Sequence, residues 1–210
     1  MTTKQPGSPI RWLLATGACL AILIGSVMSC AAIEPNPADP GRQKEVRGPV
    51  TNSGAQHSDI SQITENLYIS SRIKDEHLED VLQLDPDLII SMVFERRPHK
   101  ALTEEGLPVL WLRTVDFVLI PIPLRTLNRG VEAALPVIQD GGRVLVFCQG
   151  GRHRSVAMAS SILIGLGYSA EEAMQLISSK REVADPYAWH IQRQIRRFEA
   201  YWLRHKNQEQ

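Results

Sequence analysis

Val144-Leu145-Val146-Phe147-Cys148-Gln149-Gly150-Gly151-Arg152-His153-Arg154-Ser155 runs from an apolar stretch through a glycine-bearing loop into a small-residue helical pattern, Val156 to Leu166. The order of strand, tight loop and helix start turns successive backbone N–H groups inward and makes a cradle for an anion. A thiol at the rim of such a cradle lies in the positive field of the helix N-terminus, which lowers its pKa from a free value of about 8.5. Arg154, six residues after Cys148, can hold a tetrahedral anion through two parallel N–H bonds, as a lysine cannot. The expected phosphate-binding set is therefore Gln149, Gly150, Gly151, Arg152, His153 and Arg154, with the Cys148 sulfur beneath the phosphorus.

Chemistry at that phosphorus needs a general acid to protonate the departing oxygen. Val109 to Val115 reads as another short strand, and Asp116 stands at its end, 32 residues before Cys148, with Pro121 and Pro123 in the loop that follows. Asp140 is the poorer choice, because Asp140-Gly141-Gly142 is a turn signal. Arg152 and His153 add positive charge at the mouth of the loop and so favour substrates more anionic than a single phosphotyrosine, such as inositol phosphates or phosphoinositides. The alternative for Arg152 is a pairing with a nearby acid that only steadies the loop.

Cys-x5-Arg followed by Ser, entered from a hydrophobic strand, resembles the signature of cysteine-dependent protein tyrosine and dual-specificity phosphatases. Ile63-Thr64-Glu65-Asn66-Leu67-Tyr68-Ile69-Ser70-Ser71 resembles the opening segment of a small dual-specificity domain, and the likeness runs from about 60 to about 200. It implies an α/β fold with a central, mostly parallel sheet flanked by helices, the phosphate loop lying between a strand and a helix. It also implies roles. The Cys148 thiolate attacks phosphorus, Arg154 grips the oxygens, Asp116 serves as acid and then as base, and the Ser155 hydroxyl supports the departing thiolate. No metal or organic cofactor is implied. Many members carry histidine directly before the cysteine, where this chain has Phe147, and that bears on how far the thiol is tuned. Two other classes would use part of the same loop. A non-catalytic phospho-ligand binding domain would keep the cradle alone. A rhodanese-like sulfurtransferase would use a loop cysteine but would need neither Arg154-Ser155 nor Asp116.

The remaining elements are coarser. Leu67-Tyr68-Ile69 and Asp87 to Phe94 read as strands, with a helix at about 74–84 between them. Leu127 to Ile138 has helical spacing and stops at Asp140-Gly141-Gly142. Ser169 and Glu172 form a capping-box pattern opening a helix over 170–179. Tyr187 to His205 carries Trp189, Ile191, Ile195, Phe198, Tyr201 and Trp202 at helical spacing, a core-facing stripe, with Arg193, Arg196, Arg197 and Arg204 on a solvated face. His190 reads as structural, since no second ligand stands at metal spacing.

Of 210 residues, 43% are apolar, and about 150 beyond residue 57 suffice for one α/β core, expected over 58–207. Lys4 and Arg11 precede an uncharged stretch from Trp12 to Ser29, which reads as a signal peptide or membrane segment over 1–30. Val27-Met28-Ser29-Cys30 resembles a bacterial lipobox, which would make Cys30 the lipidated residue. That expectation puts the domain on a membrane, outside the cytoplasm; the alternative is an uncleaved single span with a cytoplasmic domain. Residues 31–57, with Pro35, Pro37, Pro40 and Pro49, read as a flexible linker. Without residues 1–30 the chain keeps 21 basic against 23 acidic residues, no footprint for nucleic acid. Expected partners are a phosphorylated protein or small phosphorylated molecule, and the membrane. Cys148 is the domain's one cysteine and has no disulfide partner within it.

Overall fold

The computed structural model describes residues 59–206; the expected signal segment, the lipidation site at Cys30 and the 31–57 linker lie outside the described residues. Five strands, Ile60–Gln62 (β1), Leu67–Ser70 (β2), Leu88–Ser91 (β3), Val109–Trp111 (β4) and Val144–Phe147 (β5), form one sheet in the order β1-β2-β5-β3-β4. β1 runs antiparallel to β2, and the other neighbours are parallel. Every residue of β2, β3 and β5 is buried, as expected for parallel strands covered on both faces. The helices are Leu78–Leu84 (α1, entered through a 3-10 turn), Lys100–Glu104 (α2), Leu124–Gln139 (α3), Arg154–Gly165 (α4), Ala170–Lys180 (α5) and Trp189–Lys206 (α6).

The period-2 alternation of β5 divides the core. Val144 and Val146 pack with α3–α6, whereas Leu145 and Phe147 pack with Val81, Leu84 and Leu102 on the other face. α4 is the central helix, buried from Arg154 to Ile164. Its small residues are matched by glycines nearby. A Cβ on Gly130 of α3 would come 2.5 Å from Met158 Sδ, and one on Gly165 would come 2.7 Å from Val131 Cγ1. The two helices are thus locked at close approach, and Cys148 is fixed between β5 and the start of α4.

Several boundaries depart from expectation for one reason. The strands expected over 87–94 and 109–115 end at Ser91 and Trp111. One ladder bond runs past each end, Met92 N to Phe147 O and Leu112 N to Ser91 O, and from there the carbonyls serve the site. Met92 O accepts from Thr114 Oγ1 at 2.6 Å and from Arg154 Nη1 at 3.0 Å. α2 is too short to leave a periodic signal; His99 caps it, accepting from Ala101 N through Nδ1. The capping box at Ser169 and Glu172 is present in both directions. Ile191, Ile195 and Phe198 are buried as the stripe on α6 requires, but Trp189 is 59% exposed and lies outside the core. Among the described residues no helix is long and apolar enough to cross a membrane.

Candidate functional site

β5 delivers Cys148 to the carboxyl end of the sheet, and the loop 148–153 returns the chain to α4. Gly151 is left-handed at φ 62°, a conformation costly for any residue with a Cβ. A Cβ there would also stand 2.8 Å from Ser71 N and 2.9 Å from Ser70 C. The loop backbone therefore rests directly on the end of β2. Arg72 N donates to Gln149 O at 3.3 Å on the same side.

A buried arginine that sequence reading overlooked holds this arrangement. Arg181 donates from Nε to Gly151 O at 2.8 Å, from Nη1 to Asp59 O and Ser61 Oγ, and from Nη2 to Asp59 Oδ2 at 2.8 Å. Asp59 Oδ2 also accepts from Ser71 N. Burial pushes the Asp59 carboxyl up, but Arg181 and the Ser71 N–H more than offset it and hold it below its ordinary value.

Arg154 opens α4 and is 3% exposed. Its Nη1 donates to Met92 O at 3.0 Å and Thr114 O at 2.8 Å, and its Nη2 to Asp116 Oδ2 at 2.8 Å. Its Nε is buried with no hydrogen-bond partner, a donor that an incoming anion can satisfy. The Cys148 sulfur lies 3.3 Å from Ser155 Oγ. Burial raises the thiol's pKa, but the Ser155 hydroxyl and N–H, the Arg154 charge and the Arg152 N–H together bring it below the ordinary value.

Asp116 follows β4 in an irregular segment and reaches Arg154 with a carboxylate left half exposed. Asp140, the weaker choice, caps α3 ahead of β5, at the opposite end of that strand from Cys148. Arg152 points outward, 3.5 Å from Asp185 Oδ2, and His153 Nε2 is 4.0 Å from the same oxygen. Asp185 N donates to Arg152 O, so this acid braces the loop from outside. His153 meets His190 edge-on, with ring centroids 5.0 Å apart. Its pKa is lowered first by burial and then by the nearby His190 and Arg152 side chains. A pocket of about 290 Å³ lies above Arg154, bounded by Asp116, His153, Trp189 and Gln194. Gln194 donates to Ile122 O at 2.9 Å and ties the segment after Asp116 to α6.

The structure thus brings Cys148, Arg154, Ser155 and Asp116 together and leaves the side chains of Gln149 and Arg152 facing out. Thr114, Asp59, Arg181, Asp185 and Gln194 complete the site, and none belongs to a recognisable motif. Arg181, one charged residue at a helix end, looked like many others. Phe147, in the place where histidine is common, is buried in register with Ser70 and Ser91. The hydroxyls of both serines are buried and lack partners.

No family model matches the chain. Mouse dual specificity phosphatase 28 is 42% identical over 57 residues, which is 27% of this chain and 33% of that protein, so the match spans about a third of the relative's length. Human DUSP28 superposes with a TM-score of 0.62 at 21% identity, over 72% of this chain and 99% of that one. PTPMT1 in complex with PI(5)P superposes with a TM-score of 0.60 at 24% identity, over 68% of this chain and 96% of that one. The fold of residues 59–206, a five-stranded and mostly parallel sheet with a Cys-x5-Arg loop at its carboxyl end, is that of the dual-specificity phosphatases.

Proposed function

We propose that this chain is a cysteine-dependent phosphatase that hydrolyses phosphomonoesters through a cysteinyl-phosphate. The observation that carries the reading is the pairing of a thiol tuned below its ordinary pKa despite burial with an adjacent arginine whose buried Nε has no partner. A phosphate seated in the N–H cradle would satisfy Nε and compete with Asp116 for Nη2. Asp116, displaced from Arg154 and protonated from solvent on release, would give that proton to the leaving oxygen as the Cys148 thiolate attacks phosphorus in line and the ester P–O bond breaks. Ser155 would donate to the thiolate as it leaves in the second step, with Asp116 now taking a proton from the attacking water.

The substrates this reading admits are phosphorylated protein side chains and inositol phosphates or phosphoinositides. The occurrence of PTPMT1 with PI(5)P on the same fold supports the second group. The pattern of Trp12 to Ser29 and of Val27-Met28-Ser29-Cys30 supports a membrane-anchored protein, lipidated at Cys30, with its domain outside the cytoplasm. The test is turnover of para-nitrophenyl phosphate by the reduced protein beside Cys148→Ser and Asp116→Asn. Turnover abolished in the first variant and cut by about 10²-fold in the second is the expected result. A reduced, folded protein without turnover would favour a phospho-ligand binding domain instead.

A further inference from the structure

The segment that carries Asp116 is built unlike a solvated loop. Val115, Phe117, Val118, Leu119 and Ile120 are all exposed, with Leu119 at 71% and Phe117 at 55%. Ile120 N donates to Phe117 O at 2.9 Å, so Val118 and Leu119 form the tip of a tight turn. Turn tips ordinarily hold Gly, Asn, Asp, Ser or Pro, and a tip of two aliphatic residues has no local conformational reason. Trp189 stands exposed across the same pocket. Isolated exposed apolar residues are normal, but a contiguous group around a site mouth marks an interaction surface. Arg193 and Arg197 of α6 line that mouth and are exposed. Between Val115 and Ile122 the only charged residue is Asp116, which is held by Arg154.

We infer that the turn 117–120 inserts into the acyl boundary of an anionic bilayer and seats the site on it, so that the phosphomonoester taken is a phospholipid headgroup. This rests on the phosphatase reading above and narrows it. An exposed apolar turn with arginines and an exposed tryptophan around the same pocket fits a membrane interface: the turn enters among the chains and the cations meet the headgroup phosphates. A phosphopeptide is less well matched: the segment after Asp116, Phe117 to Leu124, offers no polar side chain through which a peptide's backbone could be held.

The experiment uses the full-length chain, so that residues 1–58 contribute equally to wild type and variant. Para-nitrophenyl phosphate, a phosphotyrosyl peptide, and a phosphatidylinositol monophosphate in phosphatidylcholine/phosphatidylserine vesicles are assayed against wild type and Val118→Ser/Leu119→Ser. The expected result is vesicle turnover reduced by at least about tenfold in the variant, with para-nitrophenyl phosphate turnover kept within about twofold. Wild-type turnover of the soluble ester and the peptide but not the vesicle lipid overturns the inference and leaves the phosphatase reading standing. Equal vesicle rates for wild type and variant do the same. Loss of soluble-ester turnover in the wild type overturns both together.

Discussion

Gly151→Ala tests how the loop from Cys148 to Arg154 is held. The substitution forces a residue with a Cβ into φ 62°, where strain costs about 1–3 kcal/mol. The new carbon would also lie 2.8 Å from Ser71 N and 2.9 Å from Ser70 C, and both are backbone atoms that cannot swing aside. It would further collide with Arg181, whose Nε bond to Gly151 O is charge-assisted and contributes about 1.5–3 kcal/mol. Relief by shifting the loop sacrifices that bond, and relief by holding it keeps the clash. A loss of about 3–5 kcal/mol follows either way, which in a domain of this size lowers Tm by about 10 °C. The shifted loop also misplaces the N–H cradle, and misplacement of about 1 Å can cost 10²-fold in rate. Urea or thermal denaturation with para-nitrophenyl phosphate kinetics on the surviving folded protein reads both effects. Wild-type stability together with wild-type kcat would refute the claim that the loop is pinned between β2 and Arg181. Gly150→Ala is the internal control: nothing lies within 4 Å of a Cβ there, so its effect on stability should be small.

Four further predictions rest on particular contacts. Ser155→Ala removes a hydrogen bond that lowers the Cys148 pKa, so the acid limb of the kcat/KM–pH profile should move to higher pH; an unmoved limb would mean the hydroxyl does not touch the thiolate. Because the Cys148 pKa is depressed in the folded state, its thiolate contribution to stability is full above the unfolded value of about 8.5 and is lost as pH falls through the lowered folded value. Wild type should therefore gain stability over Cys148→Ser as pH rises through that window, and a flat difference would contradict the depressed pKa. Arg181→Ala leaves Gly151 O without its donor and the Asp59 carboxylate with the Ser71 N–H alone. It should lower kcat by about tenfold or more with KM less affected, Lys restoring part of it; full activity in the alanine variant would remove Arg181 from the account. Phe147→His offers a ring nitrogen to the two unpartnered hydroxyls that flank it in register, Ser70 and Ser91. It should fold with stability within about 1 kcal/mol of wild type, measured by urea titration, whereas a collapse of several kcal/mol would show that the hydroxyls cannot reach it.

The strand–loop–helix around Cys148 was legible in the sequence because its signal is local: strand, glycines, arginine and helix start are contiguous, and each constrains the next. The capping box at Ser169 and the buried stripe of α6 were legible for the same reason, a period or spacing within one element. What escaped was the apparatus that reaches across the fold. Arg181 is 30 residues from the carbonyl it holds and 122 from Asp59, so no window of sequence contains both. The expected strand Val109 to Val115 was too long by four residues because Thr114 gives its carbonyl to Arg154 and not to a neighbouring strand. Trp189 matched the helical stripe by spacing alone, yet it stands at the first turn of α6, beyond the edge of the core. Asp116 is legible in the sequence only as a strand-end aspartate upstream of Cys148; its bond to Arg154 could come only from tertiary geometry.

On the phosphatase reading, Cys148 bonds covalently to phosphorus during turnover. Rapid acid quench of the reduced wild-type protein during turnover of para-nitrophenyl phosphate, followed by peptide mass spectrometry, reads it directly. The predicted result is a single phosphate on the peptide bearing Cys148, absent from Cys148→Ser. Sustained turnover with no phosphate on that peptide, or turnover retained in Cys148→Ser, would contradict it.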